Sequence, residues 1–215
     1  MNSDSSTYDN LFTNPAIIEK IQSKLPGLFL LAEIENSRNG KLGMEIGSAR
    51  ERILIALLMY WYGAQNVDVN IPITEPEIDV KVNDEPLSIK TFSSQNNRMS
   101  GVKLIWSVDP EKALYFKDNY LPSCDMLVAQ IQWGQTGYLY LFSKKVQHDV
   151  IEEIGRENYI KLPKQGTNAR GVEISKDGLT ALTLHPEAQK IPIDFERTDV
   201  DYAQAYSRWL ELWSE

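Results

Sequence analysis

The sequence is poor in the residues that most often bind zinc or form cross-links. Cys124 is the one cysteine among 215 residues, so the chain has no internal disulfide and no cysteine zinc cluster. The two histidines, His148 and His185, lie far apart and lack ligand spacing, which argues against a histidine metal site. Cys124 also has no histidine near it in sequence, so a nucleophilic role is not expected.

Long apolar runs and excess positive charge are also missing. No stretch of 18 apolar residues occurs, and the first ten residues, MNSDSSTYDN, are polar, so we expect a cytoplasmic protein without a membrane segment or secretory signal. The net charge of −8 excludes a protein that coats nucleic acid through overall charge. It does not exclude binding of DNA in a local basic cleft.

The length and the order of patterns predict one α/β (α+β) domain spanning residues 1–215, with a flexible lead-in over 1–14. Asn14-Pro15 predicts a helix start. In GSARERILIALLMYW, Ser48 and Glu51 form a capping-box pattern, and a start near Leu42 is the alternative. Asp109-Pro110 predicts another helix start, and DYAQAYSRWLELW predicts an amphipathic helix.

Strand patterns lie between these helices. They are VDVNIPI, EIDVKV, PLSIKTF, DMLVAQIQW and GYLYLFS, with NDEP as a turn between the second and third. Helical patterns precede and follow them, so we predict a mixed central sheet flanked by helices.

The hairpin EPEIDVKVNDEPLSIK carries a candidate catalytic pair. Ser88 and Lys90 share one face of their strand, while Ile89 points to the other face, and Asp79 lies on the preceding strand. Carboxylates on rigid elements can hold Mg²⁺ against a phosphate, and a nearby lysine can position water or stabilise charge. The alternative is that these residues are ordinary surface charges.

Asp79, then a turn, then Ser88-Ile89-Lys90 resembles the PD-(D/E)xK nuclease motif. In that family an aspartate on one strand precedes an acidic-x-lysine triplet on the next. GSARERILIALL also resembles the family's first helix, which makes Glu51 its glutamate. The resemblance implies a restriction-endonuclease-like fold with a catalytic core at about 42–145.

Two positions depart from the family pattern. Ser88 replaces the acidic residue of the triplet, and Pro76 lies three residues before Asp79. The resemblance therefore implies that another carboxylate completes the metal site. Glu51 is the first candidate, followed by Glu77 and Glu45.

Three polar loops are candidates for contacts with DNA, because amide and guanidinium groups make bidentate contacts with base edges. Each is also explained by an ordinary surface loop. The candidates are Gln95, Asn96, Asn97 and Arg98 after the triplet; Lys164, Gln165, Asn168 and Arg170 in a loop at 161–171; and Arg38 and Lys41.

The resemblance implies a Mg²⁺-dependent, sequence-specific endonuclease of double-stranded DNA, similar to type II restriction enzymes and acting as a homodimer on a two-fold site. Asp79, Glu51 and Glu77 would bind metal, Lys90 would act on the nucleophile or transition state, and Ser88 would line the site. A Holliday-junction resolvase or repair nuclease of the same superfamily is one alternative. A non-catalytic binding domain is the other.

Overall fold

The computed structural model describes most of the chain. It covers residues 7–38, 41–42, 45–72, 74–75, 77–95, 98–99, 101–105, 107, 109–163, 171–197, 210 and 213–214, without the side chains of 37–38, 41–42, 95 and 98–99. No helix within these residues is long and apolar enough to cross a membrane.

Seven α-helices and one short 3₁₀ helix lie within the described residues. The α-helices are α1 (Asp9–Thr13), α2 (Pro15–Glu35), α3 (Ile46–Tyr62), α4 (Pro110–Asn119), α5 (Lys144–Ile154), α6 (Arg156–Tyr159) and α7 (Lys176–Leu184), and the 3₁₀ helix is Ala64–Asn66.

Twelve strands accompany them in the same part of the chain. They are β1 (Ser37–Arg38), β2 (Lys41–Leu42), β3 (Val67–Asp68), β4 (Val80–Val82), β5 (Glu85–Gln95), β6 (Arg98–Met99), β7 (Val102–Ile105), β8 (Asp125–Ile131), β9 (Thr136–Phe142), β10 (Ile160–Lys161), β11 (Val172–Ile174) and β12 (Gln189–Asp194).

The central sheet is mixed, as the strand patterns predict. Its order is β12-β9-β8-β5-β4-β3, with β6 also paired to β5. β5 and β8 run parallel, and the other neighbours are antiparallel. Strands β10, β11 and β7 form a separate three-stranded sheet, and β1 pairs with β2.

Alternating side chains of the central sheet enter two cores. Leu127 and Ala129 of β8 pack with α1, α2 and α3, whereas Met126 and Val128 pack with α5, α7 and the three-stranded sheet. This alternation follows from the two-residue period of a strand. The sheet is therefore covered on both faces, which confirms the predicted architecture of a sheet flanked by helices.

Local helix signals are partly confirmed. Asn14 caps α2 through its side chain, with Pro15 at the first position, and Asp109 caps α4 in the same way. The prediction of Ser48 as N-cap is wrong, because α3 begins at Ile46 after Glu45. The alternative start near Leu42 is too early, but its placement of Gly47 inside the helix is confirmed.

Three further predictions differ from the structure. The lead-in contains α1, because Tyr8 and Leu11 are buried in the core. VDVNIPI forms only the two-residue strand β3, and the polar loop predicted around Arg38 and Lys41 contains β1 and β2. The amphipathic helix predicted near the C-terminus falls mostly outside the described residues.

The strand β12 forms one edge of the central sheet. It pairs with β9 from Gln189 to Asp194, and Pro192 lies in its interior. The carbonyl oxygen of Pro192 accepts a hydrogen bond of 2.9 Å from Nε2 of Gln22 on α2. A helix side chain therefore already bonds to this strand.

The turn between β4 and β5 sets the register of the predicted catalytic hairpin. Val82 pairs with Glu85, and the two residues between them, Asn83 and Asp84, have φ of 50° and 69°. Positive φ at both positions is the type I′ geometry favoured in two-residue hairpins. The NDEP prediction of a turn is confirmed.

We expect Asp84→Val to lower the free energy of unfolding by about 1–2 kcal/mol, because a β-branched residue is strained at positive φ. Asp84→Gly should leave stability unchanged or raise it. Urea unfolding of both variants measures the difference, and equal stabilities would contradict the assigned turn geometry.

Candidate functional site

The carboxylate of Asp79 is the centre of the candidate site. Its Oδ2 accepts hydrogen bonds from the Ile89 amide at 2.6 Å and from the Ser88 hydroxyl at 3.2 Å. Lys90 Nζ donates to the same oxygen at 2.7 Å. The side chains of Lys90 and Asp79 are 15% and 18% exposed, so the ion pair is sheltered yet reachable from solvent.

The end of the β4–β5 ladder explains this arrangement. Val80 pairs with Leu87, and the Asp79 amide donates to the Leu87 carbonyl at 3.0 Å. Continuing the register puts Asp79 opposite Ser88, so the two side chains lie on one face of the hairpin. The Ile89 amide, just beyond the ladder, then bonds to the Asp79 carboxylate.

Glu51 approaches the same site from α3, the helix that packs against β5. Burial raises the pKa of Glu51, the negative charge of Asp79 raises it further, and Lys90 and Arg52 partly offset both effects. Within the described part of the chain, its carboxylate has no hydrogen-bond or ion-pair partner. Glu51 is thus a partly buried acid beside a second acid.

These groups fit a hard divalent cation. Magnesium prefers oxygen ligands and is commonly held by one or two carboxylates. Among described residues, Oδ1 of Asp79 accepts no hydrogen bond, and the Glu51 carboxylate is unpartnered. A cation between the two acids would favour the charged form of both.

Glu77 makes different contacts. Its Oε1 accepts a hydrogen bond of 2.6 Å from Tyr120, and its Oε2 accepts from both the amide and the hydroxyl of Ser123. Burial is the main cause that raises the pKa of Tyr120 well above its ordinary range, so the phenol keeps the proton that it donates. Through these hydrogen bonds, Glu77 connects the segment before Asp79 to the segment before β8.

The thiol of Cys124, near Glu77, is not activated as a nucleophile. Burial, with a smaller effect of Glu77, raises the pKa of Cys124 to about 12. Its side chain is therefore protonated at neutral pH, in agreement with the absence of a nucleophile signal in the sequence.

The predicted DNA-contacting residues are only partly described. Gln95 and Arg98 pair across the β5–β6 hairpin, which replaces the loop expected there, but their side chains lie outside the described residues. Arg38 pairs with Lys41 between β1 and β2, again without described side chains. Pro76, Asn96 and Asn97 lie outside the described residues, as do Lys164, Gln165, Asn168 and Arg170. Glu45 is exposed at the start of α3.

A second group of possible metal ligands lies away from this site, on α5. Ligand atoms of His148, Asp149 and Glu152 are within 4.8 Å of one another. His185 Nε2 also lies 3.8 Å from Asp149, so the fold brings the two histidines to one carboxylate despite their sequence separation. Lys145 Nζ is 2.7 Å from the same oxygen of Asp149, so that carboxylate is already paired with the ammonium group of a lysine.

A buried ion pair beside the site was not predicted from the sequence. Arg50, directly before Glu51, pairs with Glu33 of α2, and the two residues are 4% and 5% exposed. Oε1 of Glu33 also accepts the Trp133 indole N–H at 2.7 Å, and Oε2 lies 3.4 Å from Nη2 of Arg197. The sequence offers one sign of this pair, which is a charged residue within an apolar helical segment. Glu33 lies in LFLLAEIE, and Arg50 lies in ARERILIALL.

Comparison with known proteins gives a consistent result. The family model described as "Restriction endonuclease ThaI" matches residues 11–215. A solved structure described as "Restriction endonuclease in complex with substrate DNA" is 47% identical, with a TM-score of 0.88, over 97% of this chain and 99% of that one. No curated protein matches the chain.

We expect Glu51→Gln to raise the melting temperature of the metal-free protein at pH 7–8. Because folding raises the pKa of Glu51, the folded state retains its proton more strongly than the unfolded chain. Stability therefore falls as pH rises from about 4.3, the unperturbed glutamate value, to the raised pKa. Glutamine removes this loss, so the gain should shrink as pH is lowered through that window.

Calorimetry in EDTA across this pH range measures the effect. Glu45→Gln is the matched control, since it changes an exposed carboxylate at the start of the same helix. A Glu51→Gln variant with no gain at pH 8 would show that the carboxylate is not destabilised in the metal-free fold.

Proposed function

The chain belongs to the ThaI restriction endonuclease family, and we propose that the Asp79–Lys90–Glu51 site is where it hydrolyses the phosphodiester bonds of double-stranded DNA. Membership and the likeness to a restriction endonuclease make it a sequence-specific DNA endonuclease. The observation that carries the site assignment is the carboxylate of Glu51, which lies near Asp79 and Lys90 and has no hydrogen-bond or ion-pair partner among the described residues.

Asp79 and Glu51 are the proposed ligands of Mg²⁺. When bound, the cation polarises the phosphate and lowers the pKa of the attacking water. Asp79 offers Oδ1, since its Oδ2 is already bonded to the hairpin. A metal role for Glu77 stays a prediction, and it would require the carboxylate to release Tyr120 or Ser123.

Lys90 and Ser88 have separate roles in this proposal. Lys90 Nζ supplies the positive charge that orients the water and meets charge developing on the phosphate. Its ion pair with Asp79 fixes the position of that charge. Ser88 is 1% exposed and donates to Asp79, so it holds the carboxylate and does not act as a metal ligand.

The β5–β6 hairpin is the proposed route to base recognition. Gln95 lies five residues beyond Lys90 on β5, a length of about 17 Å at the rise of a strand. That length corresponds to about five base-pair steps of DNA. Gln95, Asn96, Asn97 and Arg98 therefore remain our first candidates for reading bases, with the 161–171 loop second and Arg38 and Lys41 third.

We expect the protein to be a homodimer when bound to DNA, because a two-fold enzyme matches a two-fold recognition site. Size-exclusion chromatography with light scattering should give twice the 24.5 kDa chain mass, plus one duplex, for the complex. A complex with one chain per cleavable duplex would contradict the two-fold arrangement.

Plasmid cleavage with and without Mg²⁺ tests the activity and the site. Wild type should give discrete fragments only with the cation. Asp79→Asn and Lys90→Ala should each lower the cleavage rate by at least about 100-fold, the usual effect of removing a group that stabilises the transition state.

Matched controls come from the same hairpin. Asp84→Asn changes an exposed aspartate in the turn, and Lys81→Ala removes a lysine paired with Glu75. Both should cut at the wild-type rate. If Asp79→Asn or Lys90→Ala also cuts at that rate, the assigned site is wrong.

A further inference from the structure

The ion pair between Arg50 and Glu33 does more than fill the core, because it also contacts the strand that carries the site. Nη1 of Arg50 donates a hydrogen bond of 3.2 Å to Oγ of Ser93. Ser93 lies three residues beyond Lys90 on β5. The guanidinium therefore joins α2, α3 and β5 at one point.

Arg50 directly precedes Glu51 on α3, so the contacts of Arg50 affect the orientation of Glu51. Successive residues of an α-helix are rotated by about 100°, so Arg50 faces the interior while Glu51 faces the site. Glu45 at the N-cap forms no capping hydrogen bond with the described residues. Together with the fully buried Leu54 and Leu58, Arg50 held between Glu33 and Ser93 fixes the rotation of α3.

We infer that Arg50, held by Glu33 and Ser93, is a positioning residue that sets Glu51 against Asp79 for metal binding. This inference rests on the proposed role of Glu51. Trp133 and Arg197 hold the Glu33 carboxylate in turn, with the Arg197 guanidinium 5.3 Å from the Trp133 ring. Groups that orient metal ligands typically change metal affinity when they are replaced.

The test uses the double variant Glu33→Met/Arg50→Met, because an apolar replacement of a buried pair often preserves stability, whereas a single replacement leaves a charge unpaired. Gln147→Met is the matched control: Gln147 is fully buried and bonds to the carbonyls of Cys124 and Phe142 in the other core. Thermal unfolding should show both variants folded.

Mn²⁺ binding to the full chain with duplex DNA, followed by electron paramagnetic resonance, is the main readout. The double variant should bind Mn²⁺ about 10- to 100-fold more weakly than wild type. The Mg²⁺ concentration for half-maximal single-turnover cleavage should rise in parallel, with little change in metal-free DNA affinity. Gln147→Met should match wild type in each measurement.

Two further variants keep the inference testable if the double variant unfolds. Ser93→Ala removes the hydrogen bond from Arg50 to β5 and keeps the ion pair with Glu33, and Arg50→Lys keeps the charge but lacks the planar fork that reaches both partners. Each should weaken Mn²⁺ binding by a smaller factor. Wild-type Mn²⁺ binding in the folded double variant, or in both of these variants, overturns the inference.

Glu51→Gln separates this inference from the proposed function. If Glu51→Gln loses Mn²⁺ binding and cleavage while the Arg50 variants keep both, only the positioning role fails. If Glu51→Gln binds Mn²⁺ and cleaves like wild type, the proposed metal site fails and the role of Arg50 fails with it.

Discussion

The backbone amide of Ile89 needs a hydrogen-bond acceptor. The Asp79 carboxylate supplies it, and this hydrogen bond fixes the geometry of the candidate site. Strand β4 pairs with β5 only as far as Leu87, beyond which β5 has β8 on its other side. A buried amide without a partner is costly, and the Asp79 carboxylate takes the place of the missing backbone carbonyl. The same oxygen holds Lys90. A structural requirement of the sheet thus fixes the geometry of the proposed catalytic pair.

The candidate site also shows how charge is distributed in an acidic protein. Arg50 and Glu33 are buried as a pair, and loss of one partner in such a pair typically costs about 3–5 kcal/mol. Glu51, one residue further on, is left without such a partner among the described residues. Among the described residues, adjacent positions on one helix therefore carry a charge in an ion pair and a charge without one, and the second faces Asp79.

The sequence predicted those features that local chemistry controls. Asn14-Pro15 and Asp109-Pro110 predict their helix starts correctly, because an N-cap and a proline act within one helical turn. NDEP predicts its turn correctly, because Asn83 and Asp84 tolerate positive φ. Ser88 and Lys90 share a face, as strand periodicity requires.

Tertiary contacts account for what the sequence did not predict. The helix α3 begins before Ser48 with Glu45 as a residue that forms no capping hydrogen bond within the described part of the chain, so the capping-box pattern does not mark its start. His148 and His185 meet at Asp149 only after α5 and α7 have packed. Arg50 pairs with Glu33, which lies 17 residues earlier on another helix, and no local sequence pattern predicts that pairing.

The edge strand β12 constrains how two copies of the chain can associate. Proline has no amide hydrogen to donate, and the carbonyl of Pro192 is already bonded to Gln22. A second chain that tried to extend the central sheet at this edge would find one donor missing and one acceptor taken. Sheet continuation through β12, the common route of edge-to-edge aggregation, is thereby blocked in the middle of the strand. Two copies of the chain would therefore have to associate through a surface other than the β12 edge.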